Sequence, residues 1–203
     1  MFLLLPVVAH AALVGRLPDA YGQYQAVYDT DLDITWLADA NYAATSGYDA
    51  DGRMTWDAAQ FWMTALNVAD HLGSSDWRLP VSNGCISYNC TGSELGHLFY
   101  LEFGGVAGYG DPMPSLSDVD LALFSNIQID LYWSATEYQS SAAWTFEFGP
   151  YDVGRQIYFP KDMEFYAWAV HGGDILATPL PATLGLFGSG LMGLLGLARK
   201  KPV

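Results

Sequence analysis

The chain has 203 residues, with eight Lys or Arg against 22 Asp or Glu, a net charge of −14. A field of that sign repels nucleic acid and anionic membrane surfaces, so nucleic acid is excluded as a partner. Aromatic residues make up 15% of the chain, enough apolar surface to build a core, so the acidity does not mark a disordered polymer.

In chain order, Phe2 to Ala9 is a short apolar run, and Ala9-His10-Ala11 gives the A-x-A pattern cut by signal peptidase. Residues 1–11 therefore read as a signal peptide, with a mature chain from Ala12. Residues 12–178 form a body of the size of one domain, in which five basic residues stand against 22 acidic ones, a net of −17. Tyr24 to Tyr28 and Ile34 to Leu37 are β-branched or aromatic runs around Asp29-Thr30-Asp31-Leu32-Asp33, which predicts a hairpin. Thr55 is placed to cap a helix that closes at Gly73, with Ala58, Trp62, Ala65, Leu66, Ala69 and Leu72 on one face.

A loop holding Cys85 and Cys90 follows. Thr91 and Glu94 then have capping-box spacing for a second helix through Leu95, Leu98 and Phe99 to Phe103, stopped by Gly104-Gly105. An irregular stretch rich in Gly, Pro and Asp reaches Asp120. "DLYWSATEY", "AAWTFEFG" and "FYAWAV" then read as strands. Two helices and about five strands that do not alternate make an α+β body.

The last segment is of another kind. Ala182 to Ala198 is a run of 17 residues without a charge. As a helix it reaches about 26 Å, close to the ~30 Å of a hydrocarbon core. Arg199, Lys200 and Lys201 follow at once and hold the end on the cytoplasmic side, which puts the body outside. Gly185, Ser189 and Gly193 recur every four residues, a ridge that lets another membrane helix approach closely.

Pro179-Leu180-Pro181, the apolar stretch with Gly188-Ser189-Gly190, and the terminal Arg199-Lys200-Lys201 resemble in their order the PEP-CTERM sorting signal of Gram-negative bacteria. Leu180 stands where the namesake motif has Glu. The resemblance implies anchoring of residues 179–203 in the inner membrane through helix 182–198, handling by an exosortase, and transfer to the cell surface or release.

Six blocks of the body are also recognisable. "TWLAD", "MTWDAAQFW", "DWRLP", "YWSATEY", "AWTFEF" and "YAWAV" stand in the order of the Lcl C-terminal domain family, which residues 24–170 resemble. That resemblance implies a fold related to C-type lectins and formylglycine-generating enzymes, with two helices, short antiparallel strands and long loops.

Candidate chemistry is sparse. Asp29, Asp31 and Asp33 are oxygen donors that could serve Ca²⁺, or simply a turn of aspartates. His71, His97 and His171 form no HExxH pair, and no GxSxG surrounds a serine of the body. Cys85 and Cys90 admit three states: a disulfide, which an exported protein favours, free thiols, or the copper-binding pair that the enzymes of this fold use. Tyr132, Trp133, Glu137, Tyr138 and Trp144 are candidates for a ligand surface, because rigid aromatics stack on sugar rings, although alternation turns half of them into the core.

These features point to a non-catalytic, surface-sorted module for adhesion to polysaccharide or protein. The alternatives are an extracytoplasmic enzyme of the formylglycine-generating type and a purely structural matrix component. The adhesin that names the family suggests an anionic polysaccharide, which a body of net charge −17 would repel.

Overall fold

A computed structural model describes residues 13–108, 120–149 and 151–176. The expected signal peptide at 1–11, the tail residues Pro179, Leu180, Pro181, Gly188, Ser189, Gly190, Arg199, Lys200 and Lys201, and the expected helix 182–198 lie outside the described residues. Among the described residues, no helix is long and apolar enough to cross a membrane.

The elements run β1 (Leu13–Pro18), β2 (Tyr24–Asp29), β3 (Ile34–Leu37), α1 (Tyr42–Thr45), β4 (Arg53–Met54), α2 (Trp56–Val68), β5 (Trp77–Arg78) and α3 (Glu94–His97). They continue with β6 (Leu131–Gln139), β7 (Ala142–Glu147), β8 (Gln156–Pro160), β9 (Phe165–Tyr166) and β10 (Val170–Gly172). Two five-stranded sheets result, in the orders β1-β2-β3-β10-β5 and β4-β9-β6-β7-β8. The ladders are antiparallel except for β6 with β9, which pair in parallel at Tyr132 and Tyr166. The expected antiparallel set is corrected at that point.

The predicted hairpin forms, with Ala26 to Asp29 paired to Leu37 to Ile34. The predicted strand "FYAWAV" instead splits in two. Phe165 and Tyr166 belong to the second sheet, Val170 to the first, and the buried residues Ala167, Trp168 and Ala169 carry the chain between them. Trp168 fastens this crossing: its indole N–H donates to Leu37 O at 2.7 Å, and its ring meets Trp36 edge-on at 5.3 Å. Trp133 likewise donates its buried indole N–H, to Met54 O at 2.8 Å.

Helix α2 starts as read, with the Thr55 hydroxyl accepting from Ala58 N. It ends at Val68, five residues before Gly73, because Asp70 turns left-handed (φ 48°). Its buried face is Ala59, Trp62, Met63 and Leu66, so the expected stripe through Ala58, Ala65, Ala69 and Leu72 is rotated toward the larger Met63. Asn67 ties the helix end to β5, donating to Trp77 O at 2.9 Å and accepting from Trp77 N at 2.6 Å.

The second helix is capped by Ser93 instead of Thr91, its hydroxyl accepting from Gly96 N at 3.1 Å. Glu94 turns away from the cap and receives both guanidinium arms of Arg78, at 2.7 and 2.8 Å. After His97 the helix widens into a π turn over Leu98–Glu102, closed by Phe103 N donating to Leu98 O at 3.0 Å.

Candidate functional site

Two places on this scaffold carry chemistry beyond packing: an exposed aromatic ledge on the second sheet, and a buried cluster where α3 meets the end of β2.

The ledge is built by register. β7 pairs with β6 on one side and β8 on the other, and Trp144 stands opposite Tyr158. Tyr138 and Tyr158 stack face to face, with centroids 3.6 Å apart and planes 7° from parallel. Trp144 supports both edge-on, at 5.5 and 5.7 Å. Tyr138 is 41% exposed, whereas Trp144 lies beneath it at 5%. The Tyr158 hydroxyl raises the Tyr138 phenol above its ordinary range.

Elsewhere on this sheet, Glu137 and the Lys161 ammonium pair at 3.1 Å, and the same ammonium sits 3.9 Å over the Trp56 ring. Lys161 also enters a cleft of about 560 Å³ with Thr55, Asp57, Ser140, Ser141 and Asp162. Backbone bonds stitch this corner together: Lys161 N donates to Ser141 O and Trp56 N to Lys161 O, both at 3.0 Å.

Of the five aromatic-strand candidates, Glu137 and Tyr138 are thus presented to solvent. Tyr132 and Trp133 are both 0% exposed and belong to the core, where burial drives the Tyr132 phenol far above its usual range. Trp144 serves as the support of the ledge. Tyr158 and Lys161 escaped the sequence reading because β8 was not recognised as a strand: "QIYFP" is short and bounded by Arg155 and Lys161.

The buried cluster consists of Asp29, His97 and Glu102, which are 0%, 7% and 2% exposed. His97 Nε2 lies 3.0 Å from Glu102 Oε1 and 3.9 Å from Asp29 Oδ2. The π turn creates the pairing, since side chains five apart on a regular α-helix point about 140° away from each other. Asp29 Oδ1 accepts from Asp31 N and Leu32 N, both at 3.0 Å, which closes the hairpin turn. Asp29 Oδ2 and Glu102 Oε2 are buried without a hydrogen-bond partner. Burial raises both carboxyls above their usual range, and the bond to Glu102 raises the His97 imidazole. Asp31 and Asp120 add negative charge around the group.

Of the three Asp residues considered for Ca²⁺, Asp29 thus faces inward to His97, whereas Asp33 accepts from the Tyr28 hydroxyl at 2.7 Å. Cys85 and Cys90 are joined in a disulfide, so neither is a thiol or a thiolate ligand. His71 stacks on Tyr42 at 4.7 Å, and His171 packs near Trp77 at 5.8 Å.

The model of the Lcl C-terminal domain matches residues 25–171, and that of the PEP-CTERM protein-sorting motif matches residues 177–200. No curated protein matches the chain.

Proposed function

Because the chain belongs to the Lcl C-terminal domain family and carries a PEP-CTERM protein-sorting motif, we propose that it is a polysaccharide-binding module displayed at the cell surface. The motif implies export, anchoring in the membrane during sorting and processing by an exosortase. The lectin-like fold implied by the sequence blocks and a spanning helix at 182–198 form part of the same reading.

The observation that carries the binding role is the Tyr138–Tyr158 stack, held outward by Trp144. A flat aromatic surface takes the apolar face of a pyranose ring. The charge of the body favours a neutral polymer over a sulfated or uronate-rich one. No catalytic step is part of this reading.

Affinity electrophoresis of the full chain through gels containing soluble β-glucan, galactomannan or alginate tests it. At least one neutral polymer should retard the chain, and Tyr138→Ala and Tyr158→Ala should each weaken retardation about tenfold, the cost of one lost aromatic contact of ~1.4 kcal/mol. Unchanged mobility in every neutral polymer, or retardation indifferent to both substitutions, contradicts the proposal.

A further inference from the structure

The Asp29–His97–Glu102 cluster has two features that packing alone does not account for. Two carboxylates are buried against one imidazole, and each keeps an oxygen without a partner. An orphaned buried acceptor of this kind is costly, and more so when charged. The open oxygens belong to the residues that flank His97 Nε2, so lone pairs from three side chains converge.

We propose that Asp29, His97 and Glu102 hold one divalent transition-metal cation of the Zn²⁺ or Mn²⁺ class. Their donor atoms all lie within 4.8 Å of one another. Imidazole nitrogen and carboxylate oxygen each bind such an ion at about 2.0–2.2 Å, which sets donors at most ~4.4 Å apart. The pairs at 3.0 and 3.9 Å already meet that limit, and the whole set needs a closure of well under ~1 Å. One nitrogen with two carboxylates suits Zn²⁺ or Mn²⁺; Ca²⁺ calls for six to eight oxygens, more than this site offers.

The ion would join the turn after β2 to the π turn after α3, two segments far apart in sequence. Its role follows from burial: it is structural, a clamp beneath the surface and away from the Tyr138 ledge. Oδ1 of Asp29 remains with the hairpin turn, so metal and turn do not compete for the same oxygen.

The test uses the full chain purified in detergent, stripped with EDTA, then exposed separately to Zn²⁺, Mn²⁺ and Ca²⁺ and passed through a desalting column. About one equivalent of Zn²⁺ or Mn²⁺ should remain bound, with Ca²⁺ washed out. At a hundredfold excess over Kd the melting temperature should rise by roughly 5–10 °C. Glu102→Gln, which keeps shape and an acceptor for His97, should abolish both the retained equivalent and the rise. NMR of the wild-type chain gives a readout independent of that variant folding: Zn²⁺ should shift the His97 Nε2 resonance and leave that of His71 unmoved. No retained metal and equal melting temperatures with and without the ions would overturn the proposal. So would stoichiometric binding that persists in Glu102→Gln or leaves the His97 resonance unmoved, since the ion would then sit elsewhere.

Discussion

Glu94 serves three donors with two oxygens: both arms of Arg78 and, at 2.7 Å, the amide of Val81. The carboxylate is nearly buried, whereas a third of the Arg78 side chain reaches solvent. Losing the acid therefore strands more than losing the base. Glu94→Ala should destabilise by roughly 2–4 kcal/mol in urea unfolding, and Arg78→Met by less than half of that. Equal costs would show that the Val81 amide finds another acceptor. The partner of Arg78 was not legible in the sequence, because Glu94 reads there as a capping-box residue.

His71 gives a pH dependence at the same scale. Burial against Tyr42 lowers its pKa below the ordinary value. Between that lowered value and about 6.5, the unfolded chain binds more protons than the folded one. Stability contributed by neutral His71 is full above about pH 6.5, falls as pH drops through the window, and levels off below the folded pKa. Melting curves from pH 7.5 to 5 should thus fall more steeply for the wild-type chain than for His71→Gln. Parallel curves would contradict this.

Among the elements, the Cys85–Cys90 loop is tied to β8 by a reciprocal pair of backbone bonds, Ser87 with Gln156, each at 2.8 Å. The Gln156 side chain also donates to Cys85 O. With two anchors besides the crosslink, the loop holds its place when reduced, and the disulfide acts mainly on the unfolded chain. Replacing both cysteines by Ser should cost roughly 2 kcal/mol, a fall in melting temperature of about 4–8 °C, with the near-UV circular dichroism of the core tryptophans retained. Loss of that signal would mean that the crosslink shapes the fold directly.

The hairpin and the start of α2 were legible because each obeys a local rule, alternation around Asp residues in one case and a Thr cap in the other. β1, β8 and β10 were not: β1 is broken by Gly15 and Arg16, β8 is five residues long, and β10 is three residues long and pairs with the remote β3 and β5. The π turn hid the cluster as well: His97 and Glu102 at a spacing of five suggest opposite sides of a helix, and only the widened turn brings them together. The same limit applied to the ledge, where Tyr138 was recognisable as a candidate but its stacking partner Tyr158 comes from a strand that the sequence pattern does not announce.

For the whole molecule, the sorting motif and the proposed binding ledge occupy separate parts of the sequence. The sorting motif matches residues 177–200, and the ledge lies on β6 and β8. Trp168 and its buried neighbours knit the two sheets of the body into one core, so substitutions at the exposed ledge should leave its stability nearly unchanged. On the proposed function, the acidic surface keeps the body away from anionic polymers and attachment runs through the aromatic ledge. The most direct test of this account is the capture of a fluorescent neutral polysaccharide by intact cells of an exosortase-bearing host that display either the wild-type chain or Tyr138→Ala/Tyr158→Ala at equal surface density. The account predicts capture by the wild-type cells and a fall of at least tenfold for the double variant. Equal capture by both, or none by either, would contradict it.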